Sequence, residues 1–129
     1  MSAGNTDVTA ARLATALTVK LPEQVESAEY EACPVTKMVR LLGDKWILLV
    51  LMLLAERPHR FNELRRRISG ISQRMLTRTL QTLTADGLVA RTVHPTVPPA
   101  VDYSLTDQGR SLLVPLTDLA DWVVRRQAA

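Results

Sequence analysis

Ten consecutive apolar residues, WILLVLMLLA at Trp46–Ala55, decide most about how this 129-residue chain can fold. A helix carrying such a run is apolar on every side, so its neighbours have to bury it. A membrane-spanning helix needs roughly 20 such residues; the run therefore implies a core helix and no membrane association. Asp44 stands where it can cap this helix, and Pro58 forbids its continuation much past Glu56. A chain of this length has room for one core. Apolar residues make up 47% of it and aromatic residues only 4%, so that core is expected to be Leu, Val, Ile and Met.

Segments able to cover the run flank it. In CPVTKMVRLLG, Pro34 suits a helix start, Val35, Met38, Val39 and Leu42 follow the spacing of one helix face, and Gly43 ends it. Arg60-Phe61 reads as a very short strand, and Asn62 as the cap of NELRRRI, with Phe61, Leu64 and Ile68 turned inward. Ser69-Gly70 breaks the chain. Ser72 then caps a second helix, whose Met75, Leu76, Thr79, Leu80 and Leu83 form the inner stripe and which Gly87 closes. Helix, short turn and capped helix make a helix-turn-helix.

Leu88–His94 and Val101–Leu105 read as strands, with Val101, Tyr103 and Leu105 on one face; Pro95, Pro98 and Pro99 stiffen the loop between them. Such a hairpin directly after a helix-turn-helix is a wing. Thr106 or Asp107 caps a last helix running to about Arg126, in which Pro115 marks a kink or the true start. The expected fold is mainly α with a small β-hairpin: a winged helix-turn-helix over 33–106, then a helix over 107–129. Residues 1–32 form an extension in which DVTAARLATALTVK suits a helix and EQVESAEYEA a connector or frayed helix.

Charge is unevenly spread along a chain whose net charge is only +3. The extension sets Arg12 and Lys20 against Asp7, Glu23, Glu26, Glu29 and Glu31. Between 57 and 78, Arg57, Arg60, Arg65, Arg66, Arg67, Arg74 and Arg78 face Glu63 alone. A solvated helix face ordinarily mixes both signs. The outer face of the second helix carries Gln73, Arg74, Thr77, Arg78 and Gln81, with no acid before Asp86. Arginine can grip guanine O6 and N7, glutamine adenine N6 and N7, and a threonine methyl can meet that of thymine. Recognition helices offer their first turns to base edges, which makes Ser72, Gln73, Arg74, Thr77 and Arg78 the expected base contacts. Arg60, Arg65, Arg66, Lys45, His94 and Thr96 are the expected backbone contacts. One or two of Arg65, Arg66 and Arg67 should be structural or solvated, since 100° steps cannot turn all three to one side.

The segments CPV…LLGDKW, RFNELRRRISGISQRMLTRTLQTLTADGLVAR and VHPTVPPAVDYSLTDQG resemble, in order, the HxlR-type family of bacterial winged-helix transcriptional regulators. The resemblance covers about Cys33 to Arg126. It implies double-stranded DNA as partner through a pseudo-palindromic operator, a homodimer, and an interface built by the terminal helices; the cytoplasmic location is expected from the single cysteine, which fits a reducing cytosol. The residues agree on the interface. Leu112, Leu116, Leu119 and Val123 form one stripe, and Leu113, Ala120 and Trp122 widen it beyond what one small core needs. Repression is the default for a regulator with no activation segment.

Some members of that family use a cysteine before the Pro-Val pair to sense electrophiles or oxidants, and Cys33 occupies that place. A helix amino terminus and Lys37 favour its thiolate, whereas Glu29 and Glu31 oppose it. A small, buried, inert cysteine is the alternative, and exposure decides between them. One cysteine cannot form a disulfide within the chain, and Cys33, His59 and His94 lack the spacing of a metal site. No cofactor is expected. No Ser/His/Asp set, glycine-rich phosphate loop or paired acids suggests an enzyme. The rival reading is a winged-helix protein-interaction module. Such a surface favours aromatic and Leu anchors, which the outer face lacks.

Overall fold

The computed structural model describes residues 22–128. The helix expected before Pro22 lies outside them. The chain divides into two units, one ending at Met38 and the other beginning at Val39.

In the first unit, α1 (Ser27–Ala32) is a single short helix with no buried residue, as a connector of acidic composition would be. Cys33 follows it, and α2 (Pro34–Leu42) starts at Pro34 as expected. Its periodicity reads out differently. Thr36 is buried, Val35 and Met38 are half-buried, and Val39 is exposed. Leu41 and Leu42, at the end of α2, already belong to the second unit and pack on its core.

That core is built around α3 (Lys45–Glu56), the apolar run. The carboxylate of Asp44 accepts from the Trp46 and Ile47 backbone N–H groups at 2.8 and 3.2 Å, satisfying two donors a helix start leaves open. Ile47, Val50, Leu51, Leu53 and Leu54 are buried. Burial is not complete all round: Trp46, Leu48 and Leu49 are half-buried and Met52 is exposed, so the second unit leaves one flank of its central helix uncovered.

Strand β1 (His59–Arg60) leads into α4 (Phe61–Arg67). The helix begins two residues earlier than a cap at Asn62 would set it, because the Glu63 carboxylate reaches back to the Arg60 backbone N–H at 3.0 Å. Leu64 and Ile68 are buried, and Gly70 takes the positive φ of the turn. Helix α5 (Gln73–Ala85) starts where Ser72 Oγ accepts from the Met75 N–H at 3.0 Å, and Leu76, Thr79, Leu80 and Leu83 bury its inner face. Gly87, at φ +80°, ends it.

The wing is β2 (Val89–His94) and β3 (Ala100–Leu105), paired antiparallel with Arg91 opposite Tyr103 and Thr92 opposite Asp102; β1 adds to the free edge of β3, giving the order β1-β3-β2. By strand alternation, one hairpin face carries Val89 and Leu105, then Arg91 and Tyr103, then Val93 and Val101. The first rung belongs to the core and the last is out on the wing. The other face carries Asp102 and His94.

Helix α6 (Asp107–Ala128) is capped by Thr106, whose Oγ accepts from the Gly109 N–H at 3.1 Å and donates to the Gly87 carbonyl at 2.6 Å. One hydroxyl thus ties the end of α5 to the start of α6. Pro115 lies within α6 and is not its start. Its missing N–H costs one bond to the Ser111 carbonyl, and both positions are exposed, so water can serve that oxygen. Leu112 and Leu113 pack on the core. Among the described residues no helix is long and apolar enough to cross a membrane.

Candidate nucleic-acid interface

The outer face of α5 is open. Ser72, Gln73, Arg74, Thr77, Arg78 and Gln81 are all exposed, and the helix contains no acid. Their spacing of four puts 73, 77 and 81 on one line and 74 and 78 on the next. Two hydroxyls are partly spent. Ser72 uses its oxygen as the cap, and Thr77 donates its proton to the Gln73 carbonyl at 2.8 Å. What Thr77 offers outward is therefore its methyl group and an acceptor oxygen.

Ion pairing sorts the arginines of the basic block. Arg57 meets Glu63 at 3.1 Å, and Arg60 meets Asp102 at 3.4 Å. Arg67 grips Glu56 through two bonds, at 2.9 and 3.3 Å, and also donates to His59 Nε2 at 2.9 Å. The His59 Nδ1–H is bonded to the Arg57 carbonyl at 2.8 Å, so this buried ring is satisfied at both nitrogens. The Arg67 guanidinium holds the Glu56 carboxyl below the usual range. Arg67 is thus the structural member of the Arg65–Arg67 run. Arg65, Arg66, Arg74 and Arg78 have no acid partner among the described residues, and all four are exposed on the helix-turn-helix. Arg65 and Arg66 line an open hollow of about 370 Å³ at the turn, beside Asn62, Ser69 and Gly70.

The remaining expected contacts stand differently. Lys45 is exposed, with its ammonium 4.4 Å above the Trp46 ring. His94 Nε2 lies 2.8 Å from the Asp102 carboxylate that also holds Arg60, so the imidazole and the guanidinium share one acid on the hairpin face opposite Arg91. Thr96 is exposed on the loop, its hydroxyl donating to the Pro98 carbonyl. One exposed cation was not anticipated from the sequence. Arg91 shares its hairpin face with Tyr103 and lines, with α5, a cleft of about 490 Å³. Strand parity puts Arg91 on the face of Val89, but only the register with Tyr103 reveals its neighbours.

Cys33 is partly exposed. The backbone N–H of Thr36 above all, then that of Val35 and the Thr36 hydroxyl, hold its thiol below the ordinary range. The open donors of a helix start supply this effect, rather than the Lys37 charge. Among the described residues no cluster of His, Cys, Asp or Glu could hold a metal.

On α6, Leu112 leans on this chain's own core, which reduces what it can offer a second subunit. Leu116 is half-buried, whereas Leu119, Trp122 and Val123 are exposed by 56%, 51% and 38%. Val114 and Val124 extend this apolar surface, and Arg126 lies over the Trp122 ring at 5.3 Å.

Known proteins resemble this chain in sequence and fold. An uncharacterized HTH-type transcriptional regulator of Escherichia coli K12, YtfH, is 39% identical over 107 residues, spanning 81% of this chain and 85% of that protein. The reduced form of the transcriptional regulator YodB from B. subtilis superposes with a TM-score of 0.65 at 35% identity, covering 70% of this chain and 89% of that one. The redox regulator HypR in its oxidized form gives 0.63 at 42% identity, covering 70% and 93%. The family model described as HxlR-like helix-turn-helix matches residues 41–128. With a winged helix, a family match over most of its length and these relatives, the chain belongs to the HxlR-like helix-turn-helix family of transcriptional regulators.

Proposed function

We propose that the chain is a cytoplasmic repressor that reads a pseudo-palindromic operator as a homodimer. The observation that carries this is the sorting of the arginines. Within the block from 57 to 78, Arg57, Arg60 and Arg67 are paired with carboxylates, while Arg65, Arg66, Arg74 and Arg78 are left for an external polyanion. Ser72, Gln73, Arg74, Thr77 and Arg78 meet base edges in the major groove. Arg65 and Arg66 meet the sugar-phosphate backbone, and Arg60, Lys45, His94 and Thr96 add further backbone contacts from other elements. Arg65→Ala or Arg66→Ala should each lower the salt slope of operator binding by about one unit and leave sequence preference intact. The reverse pattern, with preference lost and slope unmoved, would exchange the roles of α4 and α5.

The second subunit is held by the outer half of α6, through Leu116, Leu119, Trp122 and Val123, with the extension contributing. A two-fold pair sets its reading helices about 34 Å apart, one turn of B-DNA. Leu119→Glu combined with Trp122→Glu should yield the mass of one chain in sedimentation and abolish tight operator binding. A dimer that persists in this variant places the interface elsewhere.

Cys33 is the sensor thiol in this reading, its thiolate attacking a small electrophile or being oxidised, with DNA affinity falling as a result. Support comes from its exposure and lowered pKa, and from relatives studied in reduced and oxidized forms. Because the pKa is lowered, alkylation at neutral pH should be faster in the wild type than in Thr36→Val. The difference should vanish at high pH, where both thiols are ionised. An electrophile should release DNA from the wild type but not from Cys33→Ser; equal release would remove Cys33 from the mechanism.

A further inference from the structure

The cleft between α5 and the wing has a composition that a DNA backbone does not require. Its floor is Phe61, Leu80 and Tyr103, and its volume, about 490 Å³, falls in the range of small-molecule sites. It exists because the hairpin face that buries Val89 and Leu105 continues one rung further, to Arg91 and Tyr103, alongside the carboxyl-terminal half of α5. Two polar groups in it are uncommitted among the described residues: the Arg91 guanidinium and the Tyr103 hydroxyl. Gln81 and Thr77 form the wall on the α5 side.

We propose that this cleft is an effector site for a small aromatic carboxylate. The ring would rest against Phe61, Leu80 and Tyr103, where edge-to-face contacts reward an aromatic over an aliphatic body. The carboxylate would accept from Arg91 and from the Tyr103 hydroxyl, charge-assisted bonds that an uncharged amide cannot reproduce. A phosphodiester would engage Arg91 but leave the apolar floor unused. Resting on the reading of α5 given above, the site is regulatory by position: Thr77 and Gln81 belong both to this wall and to the line that starts at Gln73. An anion seated there competes with the duplex for space and repels its phosphates.

The test uses the full chain and 2-naphthoate, with 2-naphthamide as the uncharged control. Saturable binding of the acid is expected without DNA, with NMR shifts centred on Leu80, Arg91 and Tyr103. Binding should be about tenfold weaker for the amide, and for Arg91→Gln or Tyr103→Phe with the acid, which is the loss of one charge-assisted bond. The acid should also displace bound operator DNA from the wild type. Several results would overturn the proposal: no saturable binding, equal binding of acid and amide, or an Arg91→Gln variant that loses DNA affinity while naphthoate binds nowhere. That last result would make Arg91 a backbone contact. Naphthoate binding by a chain that binds no DNA leaves the site standing and removes the operator reading instead.

Discussion

Arg74→Ala and Arg78→Ala are each expected to weaken operator binding by about 1–3 kcal/mol, the range for one bidentate grip on a guanine. Combined, they should lower affinity by roughly a hundredfold to a thousandfold. The pair are neighbours on one helix, so full additivity is not expected. The loss should fall mostly on specific binding. Arg65 and Arg66 remain to hold the backbone, so affinity for unrelated duplex should change far less. Neither side chain supports the fold: both are exposed and have no acid partner among the described residues. Thermal unfolding should therefore be unchanged, which separates lost recognition from lost structure. Competition titrations with operator and random duplex provide the measurement. A double variant that keeps its preference for the operator would show that this face does not read sequence.

Gly109→Ala is the second large expected effect, and it acts through the fold. Gly109 lies in the first turn of α6 and is buried. A methyl group there would overlap the Leu88 backbone carbonyl and come within 3.1 Å of Leu105 Cδ2. A backbone carbonyl cannot swing aside as a flexible side chain does, so α6 or the start of β2 would have to shift. The Thr106 link between Gly87 and Gly109 crosses the same place and would be disturbed with it. The cost should be about 3 kcal/mol, toward the upper end for overpacking. The same exchange in an open helix stabilises by about 1 kcal/mol. Urea unfolding of Gly109→Ala beside the exposed control Gln108→Ala measures it. Equal midpoints would mean that α6 does not approach Leu88 this closely.

What the sequence made legible and what it concealed divide along a physical line. Local chemistry was readable. The caps Asp44 and Ser72, the stops Gly43 and Gly87, and the inner stripe of α5 all act within a few residues of themselves, and each stands as expected. The hairpin was legible from its β-branched runs and prolines. Tertiary pairing was not. Which arginines would be neutralised depends on Glu56, Glu63 and Asp102, brought from three different elements. The start of α4 at Phe61 turned on a reach-back by Glu63 that overrides the capping preference of Asn62. Val39 and Leu112 satisfied the spacing of an apolar stripe, yet the first is exposed and the second leans on the core, because periodicity assigns a face but not its neighbour. Arg91 escaped notice because its place in the cleft depends on a strand register.

The most direct measurement of the central claim replaces single guanines of the operator by 7-deazaguanine, which lacks the N7 acceptor and keeps the rest of the duplex. If Arg74 and Arg78 enter the major groove, wild-type affinity should fall by about tenfold at one or two positions in each half-site. Arg74→Ala or Arg78→Ala should be insensitive at the position its own guanidinium had gripped. A wild-type protein indifferent to the substitution at every guanine, on an operator it still prefers over random duplex, would contradict the account.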